Sequence, residues 1–181
     1  KGALLANASQ ASRKDLREAV RAARGAQESW AGRTAYNRGQ ILYRVAEIME
    51  ARRPEFVAVL RQIGVTPKAA GKQVDQAIDR WVWYAGWADK THHILGTVNP
   101  VAGPYFNFTF PEPTGVVGVM APDEPALLGL VSRLAAVIVS GNTAVAVIEG
   151  PASLAAITLA EVLATSDLPG GVVNLLTGDK N

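Results

Sequence analysis

Val116-Val-Gly-Val-Met120, Leu127-Leu-Gly-Leu-Val-Ser-Arg-Leu-Ala-Ala-Val-Ile-Val-Ser140, Ala144-Val-Ala-Val-Ile148, Ser153-Leu-Ala-Ala-Ile-Thr-Leu-Ala-Glu-Val-Leu-Ala164 and Val172-Val-Asn-Leu-Leu176 decide the fold. Short apolar runs of strand length alternate with longer apolar stretches of helix length, and the joints carry Pro, Gly, Asn and Asp. Strand, helix, strand, helix, strand with short connections specifies a parallel, right-handed βαβαβ layer with helices covering the sheet. The strand runs are continuously apolar rather than alternating, so burial on both faces is expected. The class is α/β.

Upstream of Pro113 the texture differs. Residues 105–110 (Tyr-Phe-Asn-Phe-Thr-Phe) alternate large aromatics with small polar residues, as a half-buried strand does. Residues 92–103 read as an irregular connection. Before them, a helix beginning at Pro67 carries Val74, Ile78, Trp81 and Ala85 inward, while Trp83, Tyr84 and Trp87 widen its apolar surface for core or subunit packing. Pro54 suits the first turn of a short helix that buries Phe56, Val57 and Leu60 and stops at Gly64. Residues 36–52 form another helix, with Ile41, Leu42, Val45, Ile48 and Met49 on one stripe. Ser12 caps the first helix, with Asp15 in its first turn and Leu16, Val20 and Ala23 on one face. Residues 3–8 read as a short edge strand. The organisation expected is a segment of strand and helices over 1–104, a separate strand over 105–112, and the parallel layer over 113–181.

Bulk properties narrow the function. The chain has 181 residues, 18 basic against 16 acidic, and a net charge of +2. That balance provides no electrostatic footprint for nucleic acid, despite a pI of about 9.1. With no cysteine there is no disulfide, thiolate metal site or thiol nucleophile. His92 and His93 are the only histidines, and adjacent residues in an extended segment point apart, so no metal site is expected. No Gly-x-Ser-x-Gly elbow, Gly-x-Gly-x-x-Gly or Gly-x-x-x-x-Gly-Lys-Ser/Thr motif occurs, and Gly178-Asp179-Lys180 matches the last only superficially. The longest fully apolar run, residues 134–139, is far short of a membrane span. No export segment is recognisable, and a cytoplasmic location is expected. The chain opens on Lys1 rather than Met, so a missing natural amino terminus is expected. What remains is the crevice beyond the carboxyl ends of the strands, where open α/β sheets bind ligands.

Glu112-Pro-Thr-Gly-Val-Val-Gly-Val-Met-Ala-Pro122, Gly141-Asn-Thr-Ala-Val145 and Leu168-Pro-Gly-Gly-Val-Val-Asn-Leu-Leu-Thr-Gly178 together resemble the first half of the cofactor domain of aldehyde dehydrogenases. Trp30, the helix over residues 38–52 and Tyr84-Ala-Gly-Trp-Ala-Asp89 resemble the helices preceding that domain, so the resemblance covers nearly the whole chain. It implies a Rossmann-like layer and NAD or NADP as cofactor. Met120, Ala121, Pro122, Val147, Glu149 and Gly178 stand at the family's cofactor-binding positions. It also implies that the family's catalytic cysteine and glutamate belong to segments beyond residue 181, so no catalytic residue is assigned.

Two departures matter. Where the family has Ala-Pro-Trp-Asn-Phe-Pro, with the asparagine amide donating to the oxyanion, this chain reads Ala121-Pro-Asp-Glu-Pro125. Carboxylates there repel developing negative charge. Where the family has Lys-Pro-Ser-Glu, whose lysine and glutamate hold the adenosine ribose, this chain has Val147-Ile-Glu-Gly150. Val147 takes the lysine position, Gly150 the glutamate position, and Glu149 is one place off, which after a strand changes the direction a side chain faces. The resulting expectation is a module without catalytic residues, acting as a degenerate copy or structural subunit beside an active aldehyde dehydrogenase, with impaired NAD(P) binding. The alternatives are an incomplete view of an active NAD(P)-dependent aldehyde dehydrogenase and a nucleotide-binding regulatory domain. The resemblance assigns the strand over residues 105–110 to an arm that pairs subunits, so a homo-oligomer or contact with another domain is expected, since an exposed aromatic edge needs cover.

Overall fold

The computed structural model describes residues 4–178. In chain order it contains α1 (Arg13–Ala31), α2 (Ala35–Ala51), α3 (Arg53–Gln62), α4 (Pro67–Ala85), α5 (Thr91–Leu95), β1 (Thr97–Asn99), β2 (Asn107–Thr109), β3 (Val116–Met120), α6 (Ala126–Val139), β4 (Thr143–Ile148), α7 (Ala152–Ala164) and β5 (Val173–Thr177). The strands β3, β4 and β5 form a parallel sheet in that order, with Val116 opposite Thr143 and Ala144 opposite Val173. The α/β class and the parallel layer are therefore as the apolar runs specify.

The layer order follows from which residues each helix can bury. Ala19 and Ala23 of α1 pack on Val145 from one face of β4, with Val20, Val116 and Leu176 around them. Ala144, Ala146 and Ile148 point to the other face and join the main core with α6 and α7. Outside α6 and α7 lie α2, α3 and α4, whose Leu42, Met49, Phe56, Leu60, Val74 and Trp81 are buried in the same core. Being covered by the sheet on one side and helices on the other, α6 and α7 are apolar nearly all round. Both-sided burial holds for β4, while β3 and β5 are only partly buried, because each is a border strand of the sheet with one neighbour.

Local chemistry sets the helix ends. At α1 the Ser12 hydroxyl accepts from the Asp15 amide, and the Asp15 carboxylate accepts from the Ser12 amide at 2.8 Å, a reciprocal capping box. The Ser12 backbone N–H holds the Asp15 carboxyl below its ordinary range. Pro54 and Pro67 sit in the first turns of α3 and α4, and Gly64 ends α3 at a positive φ of 96°.

Several expectations need correction. Residues 4–8 form no strand, and Ala3 lies outside the described residues. Leu16 is 45% exposed, since α1 seats Ala19 and Ala23 against the sheet and turns Leu16 past its edge. Residues 92–103 are not wholly irregular, because they carry most of α5 and all of β1, which pairs antiparallel with β2. The strand expected over residues 105–110 shortens to Asn107–Thr109 and is exposed rather than half-buried, since β1 and β2 stand apart from the main sheet. Asp179, Lys180 and Asn181 lie outside the described residues, so the phosphate-loop-like ending does too.

Two buried polar side chains tie the amino-terminal helices to the end of α6. Trp30 Nε1 donates to the Ile138 carbonyl at 2.9 Å. Arg38, 8% exposed, donates from Nε to the Val139 carbonyl at 3.0 Å and from Nη1 to the carbonyls of Ala31 and Arg33. Burial pushes its guanidinium below the usual arginine range. The Arg38 bonds meet carbonyls at the ends of α6 and α1 and in the turn before α2, while the Ile138 carbonyl also accepts from the Gly141 amide at 3.1 Å. Replacing Arg38→Met leaves those buried acceptors unmet and is expected to destabilise the chain by about 2–4 kcal/mol, read as a lowered urea midpoint at unchanged slope.

Candidate functional site

The parallel sheet has two ends, and the sequence motifs divide between them. At the amino-terminal end, Asn142 Oδ1 accepts from the Gly115 amide at 2.8 Å, joining the entries of β3 and β4. Thr143 Oγ1 donates to the Ala23 carbonyl of α1 at 3.1 Å. Asn174 Nδ2 donates to the carbonyls of Gly171 and Ala144 at 2.8 and 3.2 Å. Gly171, at φ 88°, brings its backbone so near α1 that a Cβ there would meet the Ala22 carbonyl oxygen at 2.6 Å. The Gly141-Asn-Thr and Pro169-Gly-Gly-Val-Val-Asn motifs thus act as joints that assemble the sheet on α1.

At the carboxyl end the same strands open into a crevice of about 920 Å³. Its walls are the segments after β3 (Asp123, Glu124, Pro125, Ala126) and after β4 (Glu149, Gly150, Pro151, Ala152), closed by the α3–α4 turn (Ile63, Gly64, Val65) and Gln73 of α4. A crevice of this size at this end is where an open α/β sheet takes a ligand. Gln73, 9% exposed, accepts from the Leu127 amide at 2.9 Å and so caps α6, which has Pro125 at its amino-terminal boundary and no cap from its own segment.

Of the residues singled out by resemblance, Glu149 lines this crevice. Met120, Ala121 and Pro122 continue β3, with the Ala121 amide donating to the Val147 carbonyl at 3.0 Å. Ala121 is buried, Val147 is half-buried beside it, and the Met120 carbonyl accepts from Arg133 Nη1 at 2.8 Å. Pro122 lies against Gly129 so tightly that a Cβ on that glycine would fall 2.2 Å from the ring. Gly178 extends the ladder on the other side, its amide donating to the Ile148 carbonyl at 3.1 Å. Sequence reasoning missed Gln73 and the Ile63–Gly64–Val65 wall. The signal for Gln73 was a polar residue beside the inward stripe of α4; the turn carried none, because its place in the crevice depends on how α3 and α4 dock.

Among the described residues that line the crevice, the donor set does not match a dinucleotide. A pyrophosphate and two riboses need cations, amides and hydroxyl partners. This rim offers the carboxylates of Asp123, Glu124 and Glu149 and a side-chain-free Gly150, the half-buried Val147 of β4 is aliphatic, and the Leu127 amide is already bonded to Gln73. Among the described residues no group of three or more His, Cys, Asp or Glu side chains is placed to hold a metal ion, and no helix is long and apolar enough to cross a membrane.

A parallel α/β layer with a crevice at its carboxyl end and helices in front defines a protein of Rossmann-like class. The aldehyde dehydrogenase family pattern matches residues 1–181, and the chain belongs to that family. It is 33% identical over 168 residues to a putative aldehyde dehydrogenase of Bacillus subtilis (strain 168), covering 91% of this chain and 33% of that protein. To the mitochondrial aldehyde dehydrogenase of Rattus norvegicus it is 30% identical over 182 residues, 98% of this chain and 34% of the relative. The chain thus spans about a third of the length of these relatives. Among solved structures, the NAD+ complex of aldehyde dehydrogenase from Bacillus cereus superposes with a TM-score of 0.88 at 30% identity, covering 94% of this chain and 35% of that one. The PnpE structure from Pseudomonas sp. WBC-3 gives a TM-score of 0.91 at 26% identity, covering 98% and 36%.

Because Gln73 is the cap of α6, Gln73→Ala is expected to cost about 1–2 kcal/mol and to speed hydrogen exchange at the Leu127 amide, whereas Gln73→Glu, which keeps an acceptor, preserves slow exchange there.

Proposed function

We propose that this chain is an aldehyde-dehydrogenase-like module that does not itself oxidise aldehydes, and that it serves as a structural or regulatory domain or subunit beside an active aldehyde dehydrogenase. The observation that carries this reading is the contrast between the two ends of one sheet. The joints at the amino-terminal end retain the residues their geometry demands, while the ligand end has carboxylates and aliphatic groups where an oxyanion donor and ribose partners are needed. On this reading the chain holds neither NAD nor NADP, although solved relatives are described as NAD complexes. Incubating the purified chain, in its natural full-length protein, with NAD or NADP and short or aromatic aldehydes is expected to give no NADH or NADPH attributable to this module. Formation at an enzymic rate that survives removal of every other dehydrogenase domain would overturn the reading.

A second reading has support of its own. The curated relatives are named as dehydrogenases and this chain aligns with only about a third of their length. Under it the chain is part of an active NAD(P)-dependent enzyme whose nucleophile lies elsewhere, and the same assay decides between the two.

Assembly follows from the hairpin of β1 and β2. Tyr105, Phe106, Phe108 and Phe110 are 76%, 75%, 56% and 46% exposed, and Val98 is 70% exposed. Phe106, Phe108 and Phe110 stack along one side, with successive ring centroids 5.4 and 5.8 Å apart. Such an apolar ladder at a two-stranded edge fits a subunit or domain contact. Light scattering is expected to give a mass above that of one chain, and Phe106→Ser with Phe108→Ser is expected to return it to a single chain without lowering the melting temperature.

A further inference from the structure

We infer that the crevice at the strand exits is a binding site for an uncharged carbonyl ligand, an amide or ester with an apolar body, whose oxygen accepts from Nε2 of Gln73. This goes beyond the non-catalytic reading and does not depend on it, since it concerns occupancy and not turnover.

Two observations carry it. The first is a buried donor without an acceptor. Gln73 is 9% exposed and lines the crevice. Its Oε1 accepts from the Leu127 amide at 2.9 Å, which fixes the orientation of the carboxamide and leaves Nε2 as its remaining polar group. Among the described residues Nε2 has no hydrogen-bond acceptor. A buried amide donor left unmet costs stability, so an acceptor brought by a ligand supplies what the chain itself does not. Trp81 Nε1 and Arg80 Nε also lack acceptors, but both are sealed from solvent and cannot meet a ligand. The second observation is the character of the walls. Ile63, Val65, Pro125, Ala126, Pro151 and Ala152 give apolar surface around a space of about 920 Å³, the size of a small-molecule site. None of the described residues lining it is Lys, Arg or His, so an anion finds no counter-charge there. A cation finds no acceptor at Nε2, and Asp123 and Glu149 already have interactions of their own. One buried donor among apolar walls suits a neutral oxygen acceptor on an apolar body.

Three probes of one shape separate these requirements. Benzamide carries a neutral carbonyl, benzoate the same acceptor with a negative charge, and benzamidinium a positive charge with no acceptor. Each is titrated by calorimetry into the full chain and into Gln73→Glu, which keeps the acceptor for the Leu127 amide and removes the donor. The expected result is saturable binding of benzamide at millimolar concentration and at least tenfold weaker binding of benzoate and of benzamidinium. In Gln73→Glu the affinity for benzamide is expected to fall at least tenfold while slow hydrogen exchange at the Leu127 amide is retained. A second measurement needs no variant: the side-chain amide proton signals of Gln73 in the unaltered chain are expected to shift in step with benzamide saturation. No benzamide binding, equal affinity for the three probes, unchanged affinity in folded Gln73→Glu, or Gln73 amide signals that stay still at saturation would each overturn the inference. None of these measurements involves NADH formation, so the aldehyde assay decides the non-catalytic reading separately.

Discussion

The approach of α1 to the amino-terminal edge of the parallel sheet is the constraint on which the rest depends. Gly171 must lack a side chain because the Ala22 carbonyl sits where its Cβ would be, and Gly141 must lack one because Pro113 and Ala31 press against it. Both also adopt positive φ, which glycine accepts without strain. Thr143 and Asn142 then lock β4 to α1 and to the entry of β3 through side-chain hydrogen bonds. Once this edge is set, β3, β4 and β5 have a common register, and α6 and α7 must cross the far face to connect them. Trp30 of α1 and Arg38 of α2 then reach carbonyls at the end of α6. These joints lie at the strand entries, at the opposite end of the sheet from the crevice, where Gln73 makes the structural bond to α6.

That separation explains how much could be read in advance. The strands and helices of the layer are legible within a residue or so because their apolar runs are long and their joints carry Gly, Pro and Asn. The capping box at Ser12 and Asp15 and the proline starts of α3 and α4 are local chemistry and need no tertiary information. The pairing of β1 with β2 was not legible. Thr97-Val-Asn99 is short and polar, and its partner lies across an eight-residue step where Asn99 Nδ2 reaches Asn107 Oδ1. Leu16 misled for a related reason: helical periodicity gives a stripe, but only docking decides which part of the stripe meets the sheet.

The candidate site was legible in part, and the division has a physical basis. Positions after β3 and β4 can be placed from strand order alone, since a parallel sheet always presents its strand exits together. Strand order indicated the crevice, whereas Glu149, Asp123 and Glu124 were singled out by the resemblance to aldehyde dehydrogenases, and the structure places all three on its wall. The opposite wall comes from residues 63–65 and Gln73, far upstream, and depends on the packing of α4 against α6. No motif marks such a wall. Its chemistry is still informative, because Gln73 gives α6 the cap that its own leading segment, Asp-Glu-Pro, does not provide.

A sheet with its structural bonds at one end and its ligand groups at the other can change the second without losing the first. The bonds at Asn142, Thr143 and Asn174 and the contacts of Gly141 and Gly171 lie at the strand entries, so a substitution at the strand exits perturbs none of them directly. Asp123 and Glu124 lie just before α6 and Glu149 just before α7, outside the first turn of either helix. The joints at the strand entries thus place little constraint on which side chains stand at the strand exits. Asp123 and Glu124 are exposed and take no space from the core, and the exposed aromatic side chains of the β1–β2 hairpin likewise stand outside it.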